Sequence, residues 1–521
     1  MAATLLAVLV AAVLLAAVSR RLDISAPLAL VVAGLVASAI PGLDGVELDP
    51  ELVLFVILPP LLWSAGLESS YVNMRRHVRS IGALAVGLPL VTTLAVGFVA
   101  YHVVPDFTLA AALVLGAIVA PPDAVSATAV GRRLGLPRRI MTLLGGESLL
   151  NDATALTAYK VALAAAIGAS AGWVSGLGTF VLAAAGGVVV GVLAGSAITF
   201  IRSRLDDPLV ESAIGLVAPF VIYLLAEEVH ASGVLAVVVA ALMLGQRSTN
   251  AGYATRLQDD AVWKALQLIL ESFAFLLIGL QLPEVVHQLS GLSAAAIAIS
   301  SVAVLATVIV VRIAWVYATT FLRNPRPAAG EVFVVAWAGM RGVVSLAAAF
   351  GVPLTTLSGA DFPGRPQLVF LTFVVVVGTL LLHGLTLPWV IRRFGIHSDD
   401  AQRDALEQAA AQDKAARAAA ERLDELLEQQ RAHGTVIADS AAEVLRKWNT
   451  ARRNSAWERL GRSEDEIGES PASAFRRLRL EMLAAERDTF IAERDAGNID
   501  DEVLREVLRG LDLEEATLNR R

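Results

Sequence analysis

Several side chains that could bind a cation or a proton fall within one long apolar run, in GGESLLNDATALTAYK at residues 145–160. At 3.6 residues per turn, Ser148 and Asp152 share one face of a helix. Glu147 and Asn151 share another face. If this run crosses a membrane, each charge near its centre costs roughly 2.5–3.5 kcal/mol. Two carboxylates five residues apart therefore indicate a function.

The rest of the chain supplies the membrane context. Of its 521 residues, 56% are hydrophobic, and the mean hydropathy of +0.64 is well above that of a soluble globular protein. The absence of cysteine excludes disulfides and thiolate chemistry. A helix needs about 20 apolar residues to span the hydrocarbon core. We identify thirteen candidate runs, some of them shorter, at roughly 3–19, 25–41, 51–68, 80–104, 107–131, 140–168, 172–201, 208–228, 231–246, 260–282, 291–322, 331–356 and 366–391.

Basic residues recur in alternate loops between these runs and set the predicted orientation. By the positive-inside rule, these loops are cytoplasmic, which places the N-terminus outside and the C-terminal tail in the cytoplasm. An odd number of spans agrees with this arrangement. We therefore expect an all-α multi-pass protein of the plasma (inner) membrane. The arginines concerned are Arg20, Arg21, Arg75, Arg76, Arg79, Arg132, Arg133, Arg138, Arg139, Arg202, Arg204, Arg247, Arg256, Arg323, Arg326, Arg392 and Arg393.

Two of the runs combine a charge with a signal for a broken helix. Run five contains GAIVAPPDAVSATAV, in which Pro121 and Pro122 precede Asp123 and remove backbone donors. Run twelve contains AWAGMRGVVSLAAAFGVP, in which two glycines flank Arg341. If runs 1–6 and 8–13 form inverted repeats, both breaks are in the fifth helix of their repeat. Paired breaks of this kind indicate the midplane binding site of a transporter.

The charges at this depth suggest a division of roles. A buried carboxylate needs a partner, so we predict an ion pair between Glu147 and Arg341. Asp152, with Ser148 and Asp123 nearby, is left as an oxygen-rich site for a monovalent metal cation or a proton. Two simpler interpretations stay open. Asp152 could be a structural hydrogen-bonding residue, and Asp123 could cap the broken helix.

Charged residues near the predicted outer surface have plainer interpretations. Lys160 lies eight residues outward of Asp152, and its long side chain is expected to extend to the outer interface. Glu227 and Glu228 lie at an outer loop, where solvated carboxylates are expected.

Five motifs together resemble the sodium/proton exchanger branch of the monovalent cation/proton antiporters, in its bacterial form. They are GGESLLNDATAL, APPDAVSATAV, ASGVLAVVVAALMLG, AWAGMRGVVSLAAA and HGLTLPWVIRRFG, within about the first 395 residues. The resemblance implies a thirteen-helix fold and a homodimer. It also implies that a core of spans 4–6 and 11–13 moves against a scaffold of spans 1–3 and 8–10. Asp123 matches the aspartate of the family's broken helix.

The same resemblance assigns roles to the residues of the opening motif. Asn151 and Asp152 match the family's Asn-Asp pair, in which the aspartate carries the proton and the cation in turn. Ser148 matches a hydroxyl of the cation site, and Glu147 and Arg341 match a structural ion pair. An Asn-Asp pair is associated in this family with electroneutral exchange.

The sequence departs from the family pattern at two places near the predicted cation path. Pro122 replaces a frequent threonine, and Ser64 stands where the third span often carries an acid. Glu68 follows Ser64 by one turn, and its side chain leans back toward it. We hypothesise that Glu68 lines the cytoplasmic approach to the site in place of the missing acid. The alternative is an interfacial glutamate paired with Arg75 or Arg76.

The chain divides by composition into an apolar part, 1–395, and a charged part, 396–521. Residues 397–521 hold 28 acidic and 20 basic residues, and helix-forming residues dominate. We expect a transmembrane antiporter domain followed by a cytoplasmic helical tail. The tail is either a regulatory or dimer-supporting element or a passive solvated segment.

These observations favour a secondary antiporter rather than an enzyme. It would exchange protons for Na⁺, or for Li⁺ or K⁺, across the membrane by alternating access, and it would contact membrane lipid. No cofactor and no nucleic acid are expected. The alternative is a cation channel, or a transport-dead sensor that signals through its C-terminal tail.

Overall fold

The computed structural model describes residues 2–22, 25–40, 53–69, 71–169, 173–205, 207–247, 252–289, 293–321, 327–396, 400–432, 439–458, 471–496, 498 and 501–519. The described residues are almost entirely helical. They contain no β-strand, apart from one isolated antiparallel bridge between Thr355 and Asp361. The chain forms two compact units, Met1–Ser398 and Asp399–Arg521. The all-α prediction is confirmed.

The helices of the first unit follow the apolar runs of the sequence. Its α-helices are α1 (Ala2–Arg21), α2 (Ala26–Ala37), α3 (Leu58–Glu68), α4 (Tyr71–Arg76), α5 (Val78–Gly82), α6 (Leu88–Val103), α7 (Leu109–Val119), α8 (Ala124–Arg133), α9 (Arg138–Ala166), α10 (Trp173–Arg202), α11 (Pro208–Glu228), α12 (Gly233–Gln246), α13 (Tyr253–His287), α14 (Ala294–Phe321), α15 (Ala329–Trp337), α16 (Val343–Phe350) and α17 (Arg365–Arg393). Two π-helical turns, Val53–Ile57 and Ala83–Gly87, lead into α3 and α6.

Each of the thirteen apolar runs overlaps at least one of these helices. A helix is the expected form in lipid, because it satisfies its backbone hydrogen bonds within its own segment. Seven described helical segments are long and apolar enough to cross a membrane. The first unit is therefore a multi-pass membrane domain, whereas the number of thirteen crossings stays a prediction.

Both predicted helix breaks are present. Helix α7 ends at Val119 and α8 begins at Ala124, so the two prolines lie in the non-helical link between them. Helix α15 ends at Trp337 and α16 begins at Val343. The link between α15 and α16 ends in extended backbone at Gly342, with φ −133° and ψ −162°. These two links carry the residues of the candidate site.

Small residues allow close packing of the helices around these links. A Cβ added at Gly116 of α7 would lie 2.3 Å from the carbonyl oxygen of Thr93 on α6. A Cβ added at Gly34 of α2 would lie 2.2 Å from the carbonyl oxygen of Leu276 on α13. Small residues at such crossings let helix backbones approach closely in a membrane.

The described residues of the second unit form four amphipathic helices in two pairs: α18 (Asp400–Ala432) with α19 (Asp439–Glu458), and α20 (Pro471–Asp495) with α21 (Asp501–Asn519). Between α20 and α21, Arg479 donates two hydrogen bonds to Glu514, at 2.6 and 2.8 Å. Arg487 forms ion pairs with Asp512 and Glu515. The predicted helical character of the tail is confirmed.

Candidate functional site

The two helix breaks meet, and α9 is attached to them. The backbone N–H of Asp123, between α7 and α8, donates a hydrogen bond to the carbonyl of Met340, between α15 and α16, at 2.7 Å. The side-chain Nδ2 of Asn151 on α9 donates to the carbonyl of Pro122 at 2.9 Å. Backbone groups that the proline-induced break would leave unpaired thus find partners on other elements, as buried polar groups require.

Opposite charges lie at the helix ends created by these breaks. The guanidinium of Arg341 donates to the carbonyl of Ala120, just beyond the C-terminal end of α7. The backbone N–H of Arg341 donates to Thr379 Oγ1 at 3.0 Å. Asp123 lies against Gly342 at the N-terminal end of α16, where an added Cβ would be 3.0 Å from its carboxylate oxygen. Each charge has the sign that stabilises the adjacent helix dipole.

Asp152 follows Asn151 on α9 and therefore lies next to this crossing. Its side chain is buried, and the negative charge of Asp123 acts on it directly. Within the described part of the chain, no basic group forms an ion pair with Asp152. Ser148, one turn earlier on the same helix face, is partly buried. The structure thus groups Asp152, Asn151 and Asp123, with Ser148 on the adjacent turn. Carboxylate and hydroxyl oxygens are suitable ligands for a hard cation, and a carboxylate can bind a proton instead.

The predicted ion pair between Glu147 and Arg341 is wrong. Glu147 pairs instead with Arg312 of α14, through Nη1–Oε1 at 2.5 Å and Nη2–Oε2 at 3.1 Å. The two side chains are only 2% and 1% exposed. A bidentate arginine–carboxylate pair of this kind is both strong and geometrically specific. Glu147 therefore has a structural partner, but that partner lies on α14 and not at the break between α15 and α16.

Arg312 also holds the end of α15. Its guanidinium donates to the carbonyls of Val335, Ala336 and Ala338, at 3.1–3.3 Å. Gly339 makes room for it, because a Cβ there would lie 2.4 Å from Arg312 Cδ. The sequence did contain a signal for Arg312: it is a charge deep inside the apolar run 291–322. No glycine or proline flanks it, so it did not stand out as Arg341 did.

Glu68 and Ser64 have different partners. The carboxylate of Glu68 is 42% exposed and pairs with Arg132 at 3.3 Å, rather than with Arg75 or Arg76. The hydroxyl of Ser64 donates instead to Gln267 Oε1 at 3.4 Å. Ser64 and Glu68 do line one cavity of about 420 Å³. A role of Glu68 in the cation path stays a hypothesis.

Lys160 does not merely extend to the surface. Its Nζ lies 2.8 and 2.6 Å from the two carboxylate oxygens of Glu227 on α11. Glu227 also accepts a hydrogen bond from the backbone N–H of Gly233, at the start of α12, at 3.2 Å. This half-exposed ion pair therefore links α9 to the turn between α11 and α12.

The sequence comparisons agree with this architecture. A family model described as "Sodium/hydrogen exchanger, transmembrane" matches residues 6–393, which include both helix breaks and Asp152. The chain belongs to the sodium/hydrogen exchanger family.

Members of this exchanger family resemble the chain over much of its length. An uncharacterised Na⁺/H⁺ exchanger of Mycobacterium tuberculosis strain H37Rv is 34% identical over 533 residues, which cover 98% of this chain and 95% of that protein. A sodium, potassium, lithium and rubidium/H⁺ antiporter of Bacillus pumilus is 32% identical over 384 residues, or 70% of this chain and 57% of that protein.

A solved structure supports the fold. The sodium proton antiporter MjNhaP1 of Methanocaldococcus jannaschii superimposes with a TM-score of 0.61 at 19% identity, covering 74% of this chain and 96% of that one. At this level of identity, the likeness concerns the fold alone. The fold is therefore shared with a solved antiporter over about three quarters of this chain.

Proposed function

We propose that this exchanger family member moves protons and Na⁺ in opposite directions across the membrane, with Asp152 as the residue that carries either ion. One observation carries the proposal. Asp152 is a buried carboxylate beside the crossing of two broken helices, and no basic group described in the structure forms an ion pair with it. A buried carboxylate without a counterion is costly. Asp152 is therefore favoured with a proton or a metal cation bound.

The neighbouring groups have distinct roles in this proposal. The carboxylate of Asp123 and the hydroxyl of Ser148 supply further oxygen ligands for the cation. Asn151 holds the break in place through Pro122 and adds no charge. If one proton replaces one Na⁺ at Asp152, the charge of the site is the same in both loaded forms. Exchange would then be electroneutral and insensitive to the membrane potential.

Exchange also requires that Asp152 face the two sides of the membrane in turn. We propose that the core, spans 4–6 and 11–13, moves against the scaffold, spans 1–3 and 8–10, in a homodimer. The N-terminus is placed outside and the tail in the cytoplasm, on the basis of the arginine pattern. Coordination at Asp152 uses oxygen ligands alone, so Li⁺ and K⁺ are further candidate substrates, in line with the cations named for the Bacillus pumilus relative.

The test uses the purified full-length protein in proteoliposomes with an internal pH-sensitive dye. A Na⁺ gradient should drive proton movement that saturates with Na⁺ and reverses when the gradient is reversed. Asp152→Asn should abolish this flux while leaving the thermal unfolding midpoint within a few degrees of wild type. Asp361→Asn, which alters an exposed acid, is the control.

Two results would overturn the proposal. Full Na⁺-driven proton flux in Asp152→Asn would remove Asp152 from the carrier role. A Na⁺ flux that shows no saturation and no coupling to protons would indicate a channel. Repeating the assay with Li⁺ and K⁺, and with the membrane potential clamped, tests the cation range and the electroneutrality.

A further inference from the structure

A further carboxylate of the membrane domain lies outside the site described above. Glu271 is at the middle of the 35-residue helix α13, and its side chain is partly buried. Gln267, one turn earlier, donates from Nε2 to Glu271 Oε1 at 2.7 Å. The Oε1 atom of the same amide accepts the hydroxyl of Ser64 on α3 at 3.4 Å. The carboxylate of Glu271 is thus held in a fixed position by a chain of hydrogen bonds between two helices.

The charges around Glu271 are mostly negative. Its strongest charge–charge interaction is with Asp123, and Glu68 also repels it. Arg20 attracts the Glu271 carboxylate less strongly than Asp123 repels it, but more strongly than Glu68 repels it. No basic residue in the described ranges forms an ion pair with Glu271. A buried acid of the same domain, Glu211, differs in this respect, because Arg202 lies 3.7 Å from it.

Packing explains why Glu271 acts on Asp123. Helix α13 packs against α16, and α16 begins directly after Gly342. Gly342 in turn abuts the carboxylate of Asp123. Helix α13 corresponds to the tenth apolar run and so belongs to the proposed scaffold. Asp123 lies in the fifth run and α16 in the twelfth, and both runs belong to the proposed core. Glu271 therefore lies on a scaffold helix that packs against the core helix next to Asp123, at the boundary between the two parts.

We propose that Glu271, on the scaffold, sets the apparent affinity for the transported cation through its negative charge. The inference rests on the proposed antiport through Asp152. The negative charge of Glu271 adds to those of Asp123 and Asp152 and attracts a monovalent cation to the boundary between core and scaffold. Because Gln267 fixes the carboxylate, the attraction costs little reorganisation when the cation arrives. Glu271 supplies charge and does not carry the proton.

The test measures Na⁺ affinity in two ways for the full-length protein. Proteoliposome flux gives the apparent KM and kcat, and Na⁺-dependent thermal stabilisation in detergent gives a dissociation constant. Glu271→Gln removes the charge but keeps the shape. It should raise both Na⁺ constants about 3- to 10-fold, as a charge several Å away in a partly shielded site would. The kcat should stay within about twofold. Glu271→Asp, which keeps the charge, should restore much of the affinity.

Glu284→Gln is the matched control, because it removes an exposed acid of the same helix that is also hydrogen-bonded to a glutamine one turn away, Gln288. It should leave the Na⁺ constants unchanged. Na⁺ constants of Glu271→Gln equal to those of wild type would overturn the role of Glu271, whether or not its stability falls. An equal loss of affinity in Glu271→Gln and Glu271→Asp would also overturn it. Failure of the proposed function itself would be visible separately, as an absence of Na⁺-driven proton flux in the wild type.

Discussion

Glu147 on α9 and Arg312 on α14 form a bidentate ion pair in which both side chains are almost fully buried. The pair joins the helix that carries Asp152 to the end of α15, because Arg312 also donates to three carbonyls there. One buried arginine thus connects α9, α14 and α15. Its loss would leave a carboxylate and several carbonyls without partners, in a place that water cannot easily reach.

We expect Glu147→Gln and Arg312→Gln each to destabilise the protein by about 3–5 kcal/mol, because each leaves an uncompensated buried charge. The double variant should lose less than the sum of the two, and thermal unfolding in detergent measures this coupling. Glu147→Gln combined with Arg341→Gln should be closer to additive, since no hydrogen bond joins those residues. A larger coupling energy between Glu147 and Arg341 than between Glu147 and Arg312 would contradict this pairing. Lys264→Gln, at an exposed pair, should change stability by less than about 1 kcal/mol.

Gly342→Ala tests the space beside Asp123. The added Cβ would lie 2.7–3.0 Å from atoms of the Asp123 side chain, so this carboxylate must shift. The backbone of Gly342 is extended, and alanine can adopt it, so the effect is steric. We expect Na⁺-driven flux to fall about tenfold or more, since small misplacements of a functional group are costly. Gly145→Ala, which meets no atom within 4 Å, is the control and should keep wild-type flux. Equal flux in the two variants would show that the position of Asp123 is unimportant.

The ion pair between Lys160 and Glu227 connects α9 of the proposed core to α11 of the proposed scaffold. Both side chains are partly exposed, so the pair is worth no more than about 1 kcal/mol. Lys160→Gln and Glu227→Gln should change kcat for exchange a few-fold in the same direction and leave Na⁺ affinity unchanged. The exchanged pair, Lys160→Glu with Glu227→Lys, should return kcat toward wild type. If the exchanged pair behaves like the single variants, the contact does not control the movement.

The charged pairs of the tail predict a pH dependence of its stability. Hydrogen bonds from Arg479 lower the pKa of Glu514 below its usual value. A lowered pKa in the folded state contributes stability above the unfolded pKa of about 4.3, and the contribution is lost as pH falls through the folded value. Hydrogen exchange of the full-length protein, corrected for intrinsic rates, should show protection of α20 and α21 at pH 7 that weakens a few-fold near pH 3. Glu514→Gln should show this weaker protection at both pH values. The difference is only a few-fold because the ion pair is exposed.

Glu481→Gln, on the same tail helix, is the control for this measurement. No arginine pairs with Glu481 in the described part of the tail, so its protection should match wild type. Protection of α20 and α21 that is equal in Glu514→Gln and wild type at pH 7 would show that the ion pair does not stabilise the tail. Na⁺-driven flux should be the same in all these variants, because the change is confined to the second unit.

Features that depend on neighbouring residues could be predicted from the sequence. Apolar runs imply helices, because a segment in lipid must satisfy its own backbone. Pro121 and Pro122 imply a broken helix, because they lack backbone donors. Helical periodicity places Ser148 and Asp152 on one face. These properties are local, and so the helices, both breaks and the grouping of polar residues on α9 were determined by the sequence itself.

The partners of the buried charges were decided only by the tertiary structure. Arg312 and Arg341 both lie in apolar runs, so their distance along the sequence and their depth do not distinguish which of them reaches Glu147. The packing of α14 beside α15 and α9 gives Arg312 to Glu147, and the crossing of the two breaks leaves Arg341 with Ala120. Glu271 likewise did not stand out in its apolar helix, and only the packing of α13 against α16 shows that its helix adjoins the break that carries Asp123. Lateral position between helices is set by side-chain packing across distant parts of the chain, and no local pattern encodes it.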